Sequence, residues 1–253
     1  MFYTKNLIVT VLACYNSKGG VGKTSASVNL AYAASLAGNQ TLLIDLDQQS
    51  ASSYYFRVRP RKKHGVRIMT KGGKNATKAI RESDYPNLDL LPAHESYRDM
   101  DALLTSMKRS SRRLADFLDQ IESNYDAIIL DCPPSLSMVA ANVFRAVDHL
   151  LIPIVPTTLS VRTYAQLKKF FGQPEYRRKK LHPFFSMVEY RKRLHRDTIE
   201  FMRNRERRLL NTENPYSAQI ESMGIHREPV LVYAAEHPAA QAFSSLWQEV
   251  SAL

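Results

Sequence analysis

The sequence is short of several things, and each shortage closes off a class of function. Two cysteines, Cys14 and Cys132, stand far apart in a chain of 253 residues. Both fall in or beside apolar runs, so they read as small buried residues of a reducing cytoplasm and not as a disulfide framework or a thiolate metal site. No apolar run approaches the roughly 20 residues of a membrane-spanning helix, so no membrane partner is expected. Met1 to Asn6 shows no charged region leading into a cleavable apolar segment, which argues against secretion. Nine glycines and 12 prolines leave no low-complexity bias, and there is no internal repeat. Acid is the last shortage: 24 Asp and Glu against 35 Lys and Arg give a formal net charge of +11. That balance favours a polyanionic partner without identifying one. The length suits one domain over residues 1–253 with a large core.

What the sequence does have is a glycine loop, Asn16-Ser17-Lys18-Gly19-Gly20-Val21-Gly22-Lys23-Thr24-Ser25. An apolar run from Leu7 to Cys14 leads into it, and an alanine-rich helical pattern, Ala26 to Ala37, follows and is closed by Gly38. Strand, glycine loop and helix in that order make a phosphate-binding loop. Glycines let successive backbone N–H groups turn inward on phosphate, and the helix N-terminus adds partial positive charge. Lys18, Gly19, Gly20, Val21, Gly22, Lys23, Thr24 and Ser25 are therefore the expected nucleotide-binding residues. Lys23 reaches for the β- and γ-phosphates, and the Thr24 hydroxyl sits on Mg²⁺. Ser17 occupies the first glycine position of the generic G-x-x-x-x-G-K-[ST] pattern. The loop is instead the deviant Walker A form K-G-G-V-G-K-T, with a second lysine, Lys18, at its head.

Thr41-Leu42-Leu43-Ile44 is a short continuous apolar run of the kind found in buried parallel strands, and it ends in Asp45-Leu46-Asp47-Gln48-Gln49. A carboxylate at the C-terminal end of a strand faces the ligand crevice of an open α/β sheet. Capping of the next helix is the other reading of Asp47. Asn87 to Ala93 reads as a further core strand, and a helical pattern runs through Leu114, Phe117, Leu118 and Ile121. Tyr125 to Asp131 makes a Walker B strand whose terminal carboxylate, Asp131, meets Mg²⁺. Cys132-Pro133-Pro134-Ser135 follows as a stiff loop, its prolines fixing φ and removing donors. His149 to Pro156 is a strand in which Pro153 marks an end or an irregularity. A helix over Tyr164 to Phe171 and a short strand over Phe184 to Val188 come next. This alternation predicts an α/β P-loop NTPase fold, a mostly parallel twisted sheet with helices on both faces.

Positive charge gathers in three places. Tyr54 to Lys78 carries Arg57, Arg59, Arg61, Lys62, Lys63, Arg67, Lys71, Lys74 and Lys78; it reads as a solvated surface excursion, with a nucleic-acid contact as the alternative. Arg177-Arg178-Lys179-Lys180 is a second block. Leu194 to Leu209 fits an amphipathic helix, with Leu194, Thr198, Phe201, Met202 and Leu209 on one side and Arg193, Arg196, Arg203 and Arg207 on the other. Glu200, four residues after Arg196, could pair part of that face internally. The last helical pattern, Pro238 to Leu253, places Ala240, Phe243, Leu246, Trp247, Val250 and Leu253 on one stripe and contains no Lys or Arg.

The two-lysine loop, the D-x-D-Q-Q strand end and the D-C-P-P-S segment together resemble the ParA/MinD family of dimerising deviant Walker A ATPases, over nearly the whole chain. The resemblance implies ATP and Mg²⁺ as cofactors, with Thr24, Asp45 and Asp131 at the metal, and slow hydrolysis in which Lys18, Lys23 and Asp47 are the catalytic set. It implies that Asp47 positions the attacking water and that Lys18 contacts the nucleotide of the partner copy in an ATP-dependent homodimer. Non-specific double-stranded DNA and a ParB-like or adaptor protein that stimulates hydrolysis are the implied partners. A cytoplasmic, nucleoid-associated role in positioning a plasmid, chromosomal region or protein assembly follows from these. Arg191 stands where such chains often carry a DNA-contacting Arg, which adds it to Arg193, Arg196, Arg203 and Arg207. Pro215 stands in the segment beside adenine, where Tyr216 replaces the usual Arg; Gln48 likewise replaces a proline. A MinD-like membrane-cycling ATPase is the alternative, and the absence of basic residues in the final helix favours core packing there.

Overall fold

The computed structural model describes residues 9–61, 77–173 and 180–253. Their frame is an eight-stranded sheet of order β3-β4-β2-β5-β1-β6-β7-β8. The strands are β1 (Thr10–Cys14), β2 (Thr41–Asp45), β3 (Arg81–Glu82), β4 (Leu88–Leu91), β5 (Ala127–Asp131), β6 (His149–Ile154), β7 (Lys180–Val188) and β8 (Glu213–Pro215). Only the short β3 runs antiparallel to its neighbour, as the mostly parallel expectation requires. Every residue of β2, β5 and β6 is buried, which explains why these strands read as continuous apolar runs and not as alternating ones.

Alternate residues of each strand feed two cores. Leu12, Cys14, Leu43, Ile129, Leu151 and Phe184 face α1 (Lys23–Leu36) and the last helix, α11 (Pro238–Ser251). Val11, Ala13, Leu42, Ile44, Ile128, Leu130 and Ile152 face the other layer. That layer comprises α3 (Met100–Thr105), α4 (Arg113–Leu118), α5 (Met138–Ala146), α6 (Thr158–Phe171) and α7 (Arg193–Arg203). The short α2 (Ala51–Tyr55) follows β2, and α8 (Ala218–Glu221), α9 (Met223–His226) and α10 (Val230–Tyr233) lead into α11. Cys14 and Cys132 are buried free thiols in opposite cores, as expected of small apolar residues.

The helix readings need correction at their ends. The helix expected over Leu194 to Leu209 ends at Arg203, and its buried residues are His195, Thr198, Ile199 and Met202. That i, i+3, i+4, i+7 spacing is the apolar stripe, so Leu194 and Phe201 stay exposed at its margins. The final stripe buries Ala240, Phe243, Leu246, Trp247 and Val250 against α1, but Leu253 lies past the helix end and is exposed. The strand end expected near Pro153 is there: Pro153 is the penultimate residue of β6, paired with Phe184. It is tolerated because its carbonyl accepts Asn16 Nδ2 at 2.8 Å, so its missing N–H faces the side where the β1 ladder has already stopped at Leu151. Of the basic stretches, Lys62 to Lys74 and Arg177 to Lys179 lie outside the described residues.

Candidate functional site

The register of the central strands builds the site. Cys14 of β1 and Asp45 of β2 are both level with Asp131 of β5, so one sheet edge presents two carboxylates beside the start of the glycine loop. The loop turns on Gly20 (φ +67°) and Gly22 (φ +90°), left-handed conformations that a side chain adopts only with strain. Gly22 has a second reason to lack a side chain, since a Cβ there would lie 2.7 Å from Ser186 Oγ. Asn16 pins the loop at both ends of its amide: Nδ2 donates to Pro153 O, and Oδ1 accepts the Lys18 N–H at 3.0 Å.

Lys23 is buried at the N-terminus of α1, and its ammonium donates to the Lys18 carbonyl at 3.0 Å. Burial lowers its pKa, with Asp131 acting in the opposite sense. Lys18 itself is exposed, its side chain lying outside the loop that its carbonyl helps to close. Gly19 to Ser25 line an open cleft of about 260 Å³ together with Asp47, Pro134 and Met187. The structure thus brings the loop, the second carboxylate of D-x-D and the proline segment to one place.

Asp45 and Asp131 lie behind this cleft, both fully buried. Asp131 Oδ2 accepts the Ser52 hydroxyl at 2.7 Å, and Asp131 is also bonded to Thr24. Asp45 Oδ2 accepts both the backbone N–H and the hydroxyl of Ser53, at 2.8 and 2.7 Å, while Oδ1 accepts the Asp47 N–H at 3.2 Å. Asp45 therefore fixes the turn that carries Asp47. Burial raises the pKa of each carboxyl, and for Asp45 the charge of Asp131 raises it further. Asp47 is half-buried, and its Oδ1 accepts the Gln49 N–H at 3.0 Å, which holds it over the loop. Tyr15 at the end of β1 donates its hydroxyl to Ser135 O at 3.1 Å, tying the proline segment to the strand that enters the loop.

This donor set fits the two groups that the loop implies, ATP and Mg²⁺. Turned-in N–H groups and one ammonium suit phosphates. Two buried carboxylates raised in pKa, with a single buried lysine between them and the cleft, form a site short of positive charge that a divalent cation beside Thr24 would balance. Ser52, Ser53, Ser186 and Met187 carry no motif, and sequence reasoning did not find them. Met187 is the unexpected one, since it lines the cleft with a left-handed backbone (φ +57°) at an irregularity in the β7–β8 pairing. Pro215 lies in β8, paired with Val188, one residue beyond Met187.

The expected arginine face is less free than its sequence suggests. Arg191 is bonded to Glu189 at 2.8 Å, Arg193 to Asp197 at 3.5 Å, and Arg196 to the Tyr190 carbonyl at 2.5 Å. Arg203 is paired with Glu213 and also donates to Asn211 O. Arg207 lies past the helix, beside Arg205 and Arg208. Among the described residues no helix is long and apolar enough to cross a membrane.

A family model described as an AAA domain matches residues 9–182, more than half of the chain. An uncharacterised Pseudomonas putida protein is 37% identical over 145 residues, and the match spans 57% of this chain and 55% of that protein, so the chain matches about half the length of that relative. The chromosome partitioning protein ParA of Caulobacter vibrioides is 28% identical over 251 residues, covering 95% of this chain and 93% of its own. A plasmid partition protein from Borrelia burgdorferi shares the fold with a TM-score of 0.79 at 20% identity, over 96% of this chain and 98% of its own. The family model covers the loop and both carboxylates, and the chain belongs to the ParA-type deviant Walker A ATPases.

Proposed function

We propose that this chain is a positioning ATPase that binds Mg-ATP, dimerises across the nucleotide, binds double-stranded DNA without sequence preference and hydrolyses ATP slowly until a ParB-like or adaptor protein stimulates it. The observation that carries the reading is the cleft shared by Gly19–Ser25, Asp47 and Pro134, with Lys18 exposed and next in the chain to Gly19. Lys23 exchanges its bond to the Lys18 carbonyl for the β/γ-phosphates. Thr24 and Asp131 hold Mg²⁺, and Asp45 acts behind them by fixing the Asp47 turn. A Mg²⁺ ion held there would supply charge neutralisation for the phosphates during transfer to water. Asp47 orients that water, and Pro134 keeps the switch segment stiff at the cleft mouth. Pro215 packs beside adenine.

Lys18 reaches the phosphates of the partner copy, which makes dimerisation conditional on ATP. The DNA-facing surface includes Arg191, Arg193 and Arg196 at the start of α7. Residues 1–253 act as one domain, in the cytoplasm and on the nucleoid, positioning a plasmid, a chromosomal region or a protein assembly. Lys18→Ala separates the roles of the two lysines: it retains monomer ATP binding and fails to dimerise with a slowly hydrolysed ATP analogue. Light scattering reads the mass directly, and a Lys18→Ala protein that dimerises like the wild type removes the cross-subunit role.

A further inference from the structure

The end of α7 holds a second basic feature, distinct from the arginines at its start. Between the C-terminal half of α6 and the turn that follows α7 lies an open cleft of about 600 Å³. Its lining includes Lys168, Arg205, Arg207 and Arg208 against one carboxylate, Glu206. The Glu206 side chain is 11% exposed; it accepts Lys168 Nζ at 2.5 Å and the Tyr164 hydroxyl. The acid and the lysine neutralise each other at the floor. Arg205, Arg207 and Arg208 are exposed around it.

The ending of the helix creates this arrangement. Continued to Leu209, α7 would spread residues 205 to 208 around its circumference at 100° steps. The chain instead leaves the helix: Glu206 N–H keeps a helical bond to Met202 O at 2.8 Å, and beyond it a turn closes with Leu209 N–H on Glu206 O at 3.2 Å. Glu206 then points in and its arginine neighbours line one mouth. The Arg205 guanidinium is further held over the exposed Phe201 ring at 4.1 Å. The contrast with the other end is direct, because Arg191 and Arg193 each have a carboxylate partner there and Arg196 a carbonyl.

We propose that this cleft is a second contact site for the phosphodiester backbone of double-stranded DNA, centred on Arg205, Arg207 and Arg208. Planar guanidinium forks match phosphate oxygens two at a time, and three of the four cations here are arginine. The volume exceeds that of one phosphate and the cleft is open, as a passing backbone requires. The 11 residues of α7 separate it from Arg193 by about 16 Å, so one duplex can be held at two places along the helix. The proposal rests on the reading of this chain as a DNA-binding ATPase.

The test uses the full chain with a slowly hydrolysed ATP analogue and a labelled random-sequence duplex, titrated across salt concentration by fluorescence anisotropy. Arg207→Glu with Arg208→Glu should weaken binding at least tenfold and reduce the slope of log K against log salt by about 1.8, for two phosphates released. Unchanged ATP binding reports an intact fold. If the double reversal misfolds, Arg207→Ala with Arg208→Ala replaces it, with the same loss of slope expected. A wild-type protein that binds the duplex while both variants keep its salt slope overturns the cleft and leaves the DNA reading standing. A wild-type protein that binds no duplex overturns both. Loss of poly-glutamate binding with duplex binding intact assigns the cleft to an acidic protein and overturns the proposal.

Discussion

The phosphate loop and the arginine-rich surface around α7 both gather positive charge, on opposite terms. In the loop a single ammonium, Lys23, is 6% exposed and held at 3.0 Å by a carbonyl, with backbone N–H groups and a helix N-terminus around it. On the surface, the Arg193 side chain is 86% exposed, 3.5 Å from an Asp197 that is itself 62% exposed. A charge pair at 4 Å is worth about 1 kcal/mol in water and roughly four times that at an effective dielectric of 20. Burial therefore makes each group in the loop indispensable, whereas exposure makes the surface a sum of weak, screened terms. On the proposed reading, one region recognises a phosphate by position and the other collects phosphates by number.

Breaking the loop should give the largest effects. Lys23→Ala is expected to reduce ATP affinity by at least about 100-fold, because an unmatched charge-assisted contact in a buried site costs roughly 3 kcal/mol; isothermal titration reads it, and near-normal affinity would mean that the ammonium is not the phosphate contact. Asp47→Ala is expected to bind ATP and dimerise while turnover falls by about 10²–10⁴, the usual range for a group acting on the reacting proton. Phosphate release at the wild-type rate, with the stimulating partner present, would take Asp47 out of the chemistry.

A backbone change sharpens the comparison from the other direction. Gly22→Ala places a Cβ at φ +90° and 2.7 Å from Ser186 Oγ. The conformational part alone costs about 1–2 kcal/mol, so thermal unfolding should shift down by several degrees. Ser186→Ala in the same chain should recover the contact but not the conformational share; full recovery would show that the loop can relax out of the left-handed region. The smallest effect belongs to the surface. Arg193→Glu with Arg196→Glu should leave ATP binding and thermal stability unchanged and lower the DNA salt slope by about 1.8. A change in ATP affinity would show that the two regions are coupled.

Much of the fold was legible because parallel strands buried on both faces leave continuous apolar runs. Thr41–Ile44, Asn87–Ala93 and Tyr125–Asp131 each stand where β2, β4 and β5 lie. The helix through Leu114, Phe117 and Leu118 was readable from its apolar stripe, but it ends at Leu118, so Ile121, which continued the pattern, is buried past its end. The end of α7 was not readable. The charged residues 205–208 fit a helix as well as a turn, and only packing of Glu206 against Tyr164 and Lys168 separates the two. Asp45 shows the same limit at the site. Its place at a strand end is a sequence property, but its service to Ser53 and the Asp47 turn depends on α2 folding back over β2.

The sequence by itself determined where the loop lies and which residues form it, because its glycines, two lysines and following helix are close neighbours in the chain. It also determined that carboxylates stand at the ends of two buried strands. Only the tertiary structure decided that Asp45 and Asp131 are level with each other, since register between β2 and β5 links residues 86 apart in the chain. It alone placed Met187 and Ser186 against Gly22, and separated the arginines into a partnered group at one end of α7 and a cleft at the other. Short-range conformational preference is written in neighbouring residues. Burial, and with it the strength of every charge in this protein, is set by segments that meet only when the sheet has formed.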